Sequence, residues 1–270
     1  MLKQRILTGA ALTIGIATVL LLSGNLWLMK AVSMILSIMA VYELCRATGY
    51  LKNKPFTCCL MAAAVMLTIW CDFRIAGLLF AAGLFIGLYF MKQIQTMKEI
   101  PGWVLFLTGC IAASCFGMMG SLRSMEKGFY LLTMAILIPV ITDIGAYSFG
   151  RCFGEHKLAP IISPKKTWEG SVGGSVCAIV IISAVALLLE ANGLIQVQMW
   201  YLICYLLIAS CIAQFGDLTF SAIKRIVGIK DYGRLLPGHG GILDRFDSLI
   251  LVLPLTVFVN QYFGPLLAAA

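Results

Sequence analysis

Nine runs of mostly apolar residues fill this chain, and their lengths constrain its fold more than any other feature. They lie near 6–23, 26–44, 56–71, 75–91, 101–122, 129–150, 171–190, 199–216 and 248–267, the third and fourth being short. A membrane-crossing helix needs roughly 20 consecutive apolar residues. The 270 residues are 61% hydrophobic and 12% charged, with a mean hydropathy of +0.96, against about 45–50% and about 25% in soluble domains. A water-soluble core could not hide that much apolar surface. The expected fold is all-α and polytopic, with about nine transmembrane helices in one membrane-embedded domain over 1–270 and two polar loops. Lys3 and Arg5 precede the first run as in a signal peptide, but no small-residue cleavage site follows and many spans come after. That run is therefore read as a helix.

Charge is distributed unevenly. The N-terminus and the loops after the second, fourth, sixth and eighth runs hold sixteen Lys and Arg residues. The opposite loops hold three, Arg74, Arg123 and Lys127, while Lys30 lies within a run. Cytoplasmic loops carry the excess of Lys and Arg. The expected orientation in the cell's inner membrane therefore puts the N-terminus and the polar loops 151–170 and 217–247 in the cytoplasm, and the C-terminus outside. The net charge of +8 then reflects topology, and the expected partner is the lipid bilayer rather than nucleic acid. The ten cysteines form no CxxC pair, so neither a zinc knuckle nor a thiol-redox motif is indicated.

Topology accounts for the basic residues of the two loops but not for their acids, glycines and histidine. A helix continued past Asp217 aligns Asp217, Ser221, Lys224, Arg225 and Gly228 on one face, a spacing that an ordinary salt-bridged surface shares. Then comes "LLPGHGGILDRFD", Leu235 to Asp247. Pro237 and Gly238 break regular structure, Gly240 and Gly241 permit positive φ, and successive amides in such a turn can form a concave anion site. Asp244 and Asp247, three residues apart, point the same way on a new helix. Paired carboxylates beside a phosphate-sized anion site suit Mg²⁺, which takes a few carboxylates plus phosphate oxygens. A plain helix start would also favour Asp244, but it leaves His239 and the glycines without a use.

The first loop and its approach read "DIGAYSFGRCFGEHKLAPIISPKKTWEG", Asp143 to Gly170. Asp143, Tyr147, Gly150 and Arg151 share one helix face. Asp143 lies inside the sixth run, where an unpaired charge costs about 2.5–3.5 kcal/mol on insertion scales, so it is expected to face a polar cavity. Lys165 and Lys166 are adjacent cations between a proline turn and the next helix, suited to phosphate. Together the two loops describe a cytoplasmic cavity opening sideways toward lipid, with carboxylates for a metal and cations for phosphates. Phosphoryl or nucleotidyl transfer to a lipid fits, because metal ions and cations neutralise the negative charge that gathers in its transition state.

These residues also carry a family resemblance. The run Ser221-x-x-Lys224-Arg225, then Lys230-Asp231, then Pro237-x-His239-Gly240-Gly241-x-x-Asp244-Arg245-x-Asp247 resembles the signature of phosphatidate cytidylyltransferases, also called CDP-diacylglycerol synthases. The upstream "AYSFGRCFGEHKL…ISPKKTWEG" is similar to that family's second polar segment. The resemblance strictly covers about a quarter of the chain; it makes 129–270 the catalytic part and leaves 1–128 as less similar helices. It implies the reaction of phosphatidic acid with CTP to give CDP-diacylglycerol and pyrophosphate, for phospholipid biosynthesis, with Mg²⁺ required and Mn²⁺ as a substitute.

Under that resemblance Asp217, Asp244 and Asp247 are the metal ligands, with a salt bridge to Lys224 as Asp217's alternative role. Asp244 and Asp247 share the metal on a solvent-facing helix face, and with Lys224 and Arg225 they form the catalytic set. Lys224, Arg225 and Lys230 hold the triphosphate, and Lys165, Lys166 and Arg151 hold either the lipid phosphate or the nucleotide. Ser221, Gly240, Gly241, Arg245, Asp143 and Tyr147 complete the substrate site, and His239 either donates to a phosphate oxygen or shapes the glycine turn. Homologues suggest a homodimer, for which the sequence carries no interface signature. Two alternatives share part of this logic: another CTP-dependent membrane enzyme such as a polyprenol kinase, and a transporter using Asp143. Transport would favour polar residues spread over several spans near midplane, and here they concentrate in two loops. A CDP-alcohol phosphotransferase needs a DGxxAR run, which is absent.

Overall fold

Backbone polar groups cannot stay unpaired in hydrocarbon, so each apolar run must close its hydrogen bonds internally as a helix. The computed structural model describes residues 2–233 and 240–268. Among those residues it has nine α-helices: α1 (Leu2–Leu21), α2 (Leu26–Ala47), α3 (Lys54–Ile69), α4 (Ala76–Gln93), α5 (Gly102–Ser124), α6 (Gly128–Phe153), α7 (Trp168–Ala191), α8 (Met199–Ile226) and α9 (Leu243–Tyr262). Six stretches, from α2 and α4 through α8, are long and apolar enough to cross a membrane. The chain is an α-helical membrane protein. α1, α3 and α9 fall outside that set, α1 because its apolar stretch, Gly9–Gly24, is short, α3 by its 16 residues and α9 by the charged and amide residues at its two ends. Asn25 and Asn53 start α2 and α3 by accepting hydrogen bonds from amides of the first turn, as N-cap side chains do.

The structure departs from the expected boundaries where polar residues are buried. α8 does not stop near 216 but runs on to Ile226, with Ser221 and Lys224 buried. It ends at Gly228, φ 71°, where the Ile229 amide donates to the Lys224 carbonyl at 2.9 Å. That closure takes a left-handed residue, which glycine adopts without strain. α9 starts at Leu243 rather than near 248, so Asp244 and Asp247 sit in its first turns. The loop 151–170 is more than a loop. α6 continues to Phe153, and an antiparallel hairpin follows, β1 (Lys157–Ala159) and β2 (Ser163–Thr167), with Lys157 opposite Thr167 and Ala159 opposite Ser163. The all-α class holds, with this one two-stranded sheet added at the loop.

Small residues bring the site-bearing helices close. A Cβ on Gly174 of α7 would strike the Thr142 carbonyl of α6, and one on Gly216 of α8 would press on the Asp247 carbonyl and Ser248 of α9. Membrane helices use small residues for this kind of close approach. The α8–α9 contact carries Asp217 toward Asp247. The C-terminal ends of α2, α6 and α8, the N-terminal ends of α7 and α9, and the hairpin meet at one end of the bundle, tied by contacts between Glu43 and α9 and between Arg225 and Ile162.

Candidate active site

The polar end of the bundle is organised around carboxylates, each with a different set of partners. Asp217 on α8 pairs with Lys166 of β2 and accepts a hydrogen bond from Ser221 one turn on, at 3.3 Å. Ser221 and Asp217 therefore do lie on one face. Asp217 takes Lys166 as its direct partner, with Lys224 contributing its charge from further off.

Asp244 uses both of its oxygens. Its Oδ1 accepts from Lys224 Nζ at 2.9 Å, and its Oδ2 accepts from the amides of Tyr232 at 2.8 Å and Gly241 at 3.0 Å. The Asp244 and Lys224 side chains are 5% and 10% exposed. The expectation of a solvent-facing Asp244 is corrected: it is a buried, paired carboxylate that clips the loop after α8 to the start of α9. Tyr232 completes the clip. Its hydroxyl donates to the Phe220 carbonyl at 2.8 Å, and Lys224 Nζ lies 5.4 Å over its ring. Burial first, and the nearby Asp247, Asp244 and Asp217 charges next, push the Tyr232 phenol well above its ordinary value.

The glycine turn does form an anion-binding concavity, but its anions belong to the protein. The Gly241 amide goes to Asp244, while those of Ile242 and Leu243 go to Glu43 Oε1 at 3.0 Å and Oε2 at 2.8 Å. Gly240 has the positive φ expected of the turn, 84°. The expectation that these amides are open to a phosphate is thereby corrected. Glu43, in α2 and 5% exposed, was not anticipated from the sequence. The available signal was a lone carboxylate inside an apolar run, of the kind that singled out Asp143. His239, Arg234, Pro237 and Gly238 lie outside the described residues.

Lys165 and Lys166 are not a twin cation. They are successive residues of a strand, whose side chains alternate in direction. Lys166 turns in to Asp217, and Lys165 is exposed. The hairpin is held from both sides. Glu169 accepts from the Glu155 and His156 amides and pairs with His156 Nδ1 at 2.6 Å. Arg225 Nε donates to the Ile162 carbonyl at 3.0 Å and its Nη1 to Ile229 at 3.3 Å, so Arg225 ties the hairpin to the end of α8. On α6, Arg151 donates to the Tyr147 hydroxyl at 3.3 Å and both are exposed, as are Lys230 and Arg245. Asp143, one turn before Tyr147, interacts with the charges of Lys166, Asp217 and Arg245. The sequence-predicted residues that the structure describes thus converge on one end.

Asp247 differs from the other acids. It is 6% exposed, and among the described residues its hydrogen bonds come from its neighbour Ser248, amide at 2.7 Å and hydroxyl at 3.2 Å, both to Oδ1. It lies in the field of Asp217 and Asp143, opposed by Lys224. No group of three His, Cys, Asp or Glu residues among those described encloses a metal position. A hard ion held by one or two carboxylates and completed by substrate phosphate oxygens, the usual arrangement for Mg²⁺, fits this donor set, in which Asp247 and Asp217 are the carboxylates that would hold it.

Comparison with known proteins gives the family. The model of the cytidylyltransferase family matches residues 3–263. The phosphatidate cytidylyltransferase of Staphylococcus saprophyticus is 45% identical over 145 residues, 54% of this chain and 54% of that protein. The phosphatidate cytidylyltransferase of Staphylococcus aureus strain COL is 46% identical over 139 residues, 52% of each chain. The chain aligns with about half the length of these curated relatives. With the family match extending over nearly all of its helices, the hairpin and the carboxylate cluster, this protein belongs to the cytidylyltransferase family.

Proposed function

We propose that this protein transfers the cytidylyl group of CTP to phosphatidic acid, giving CDP-diacylglycerol and pyrophosphate. The observation that carries this reading is a buried carboxylate, Asp247, set among Asp217 and Asp143 at the charged end of a membrane bundle. Charge buried in a membrane is expensive and marks a functional site unless it is paired. Family membership and the names of the relatives point the same way.

The lipid phosphate is already anionic at neutral pH, so it needs no strong general base. An oxygen of that phosphate bonds to the α-phosphorus of CTP as the bond to the pyrophosphate oxygen breaks, and pyrophosphate leaves with the electron pair. Catalysis is then mostly positioning and charge neutralisation. Mg²⁺ bound at Asp247 and Asp217 would supply Lewis-acid neutralisation of phosphate oxygens. The exposed cations Lys165, Lys230, Arg245 and Arg151 receive substrate phosphates, while Lys224 and Lys166 hold Asp244 and Asp217 in place. A substrate that keeps its acyl chains in the bilayer reaches this end from the side.

Purified protein should release pyrophosphate only when CTP or dCTP, phosphatidic acid and a divalent metal are all present. Equal turnover of a polyprenol would replace this reading with that of a CTP-dependent kinase.

The proposed topology has nine spans, with the polar end in the cytoplasm. In a cysteine-depleted variant, Lys165→Cys and Lys230→Cys, both exposed positions, should be labelled only from the cytoplasmic side. Arg74→Cys should be labelled only from outside. Labelling of Lys230→Cys from outside would reverse the orientation.

A further inference from the structure

We propose that Glu43 is a positioning residue for the reaction: a carboxylate from the N-terminal half that fixes the start of α9 and, through it, Asp247. This inference rests on the proposed function for its kinetic arm alone.

Three independent features converge on Glu43. Its two oxygens accept from consecutive amides, Ile242 at 3.0 Å and Leu243 at 2.8 Å, at the N-terminal end of α9. Those amides have no partner within the helix, and a negative charge there is favoured by the helix dipole. The surrounding backbone is also shaped to admit this side chain. A Cβ on either Gly233 or Gly241 would collide with the Glu43 carboxylate, and neither glycine has a positive φ that would call for glycine by itself. Finally, the anchored segment leads within one helical turn to Asp247. Asp244 clips the same turn from the other side through Gly241 and Tyr232.

The consequence is a two-carboxylate vice. Asp244 holds the turn to α8 through Lys224, and Glu43 holds it to α2. A helix N-terminus exposed to a triphosphate would otherwise bind it directly. Here Glu43 fills that position, so the phosphates are left to the exposed cations and the metal site, and α9 cannot slide or tilt toward them. Loss of Glu43 frees the first turn, and displacements of about 1 Å at a reacting centre can cost about 10²-fold in rate.

The experiment compares wild type with Glu43→Gln and Glu43→Ala in the full-length chain, by amide hydrogen exchange over 240–247 and by kcat and KM for CTP and phosphatidic acid. Exchange of the Ile242 and Leu243 amides should accelerate about tenfold or more in Glu43→Ala. kcat should fall by about 10²-fold, with the KM values moving far less, and Glu43→Gln should fall between. Gly241→Ala should damage the wild type strongly, yet add little to Glu43→Ala, where the colliding carboxylate is gone. If Glu43→Ala does not fold, Glu43→Gln carries the exchange and kinetic arms, and the shorter Glu43→Ser, which also vacates the space beside Gly241, carries the comparison with Gly241→Ala. Unchanged exchange, a normal kcat per folded molecule, or full additivity with Gly241→Ala would overturn the proposal. A wild type inactive toward phosphatidic acid would remove the proposed function, while accelerated exchange in Glu43→Gln would still uphold the anchor.

Discussion

Asp247→Asn is expected to lower turnover by about 10²–10³-fold while leaving the protein as thermally stable as the parent in the absence of metal, or more so. The two halves of this expectation have one cause. Asp247 is buried among the like charges of Asp217 and Asp143, and Lys224, the cation in its field, is committed to Asp244. Asparagine keeps the shape and the acceptor for Ser248 but removes a charge that the apoprotein holds at a cost. What it loses is affinity for a hard cation, which requires charged oxygen ligands. Adding Mg²⁺ should therefore raise the melting temperature of the wild type, as any ligand of the native state does, and should leave that of Asp247→Asn unmoved. Wild-type activity in the variant, or an equal Mg²⁺-induced rise, would show that Asp247 does not hold the metal.

Asp244→Ala should behave in the opposite way, with a loss of stability as its main effect. The substitution leaves Lys224 with a buried, uncompensated ammonium and strips the Tyr232 and Gly241 amides of their acceptor. Breaking a buried pair by removing one partner costs about 3–5 kcal/mol. Replacing both charges is cheaper, so Asp244→Ala/Lys224→Met should recover part of the lost stability in thermal or proteolytic unfolding, without recovering activity. A double variant no more stable than Asp244→Ala would mean that the pair is not the source of the loss.

Much of the architecture could be read from the length of the apolar runs, because the bilayer leaves helices as the solution for a run of that length. α4, α5 and α7 begin and end within a few residues of the apolar limits. What hydropathy does not reveal is polar sequence that folds. By hydropathy the eighth run stops near 216, yet Ser221 and Lys224 are the buried last turns of α8, on the continued helix that their spacing allowed. The strands of the 157–167 hairpin have three and five residues, too short for a period to emerge. The polar constellation itself was legible from spacing, since i, i+4 relations on one helix survive into the fold, as Asp217 and Ser221 do. Relations between elements were not. Nothing local says that Asp244 would spend both oxygens on Lys224 and two amides, or that Lys165 and Lys166 would diverge. The sharpest case is Glu43, 200 residues from the Leu243 amide that it caps. A reading that confined the site to 129–270 missed it, because its partner is backbone and carries no residue-type signal.

That separation also sets an order of events during synthesis. Chains are made at about 5–20 residues per second, so the second span waits roughly 10–40 s before the amides that claim its carboxylate emerge. Through that interval the polar end of α2 has only water, lipid headgroups and its neighbour Arg46 to satisfy Glu43. The last helix thus returns to the second one, and the catalytic end can be completed only when translation is nearly over. A ribosome that stalls after α8 would leave a bundle whose membrane-embedded acid has no backbone to grip, an exposed mark by which quality control could tell an unfinished chain from a finished one.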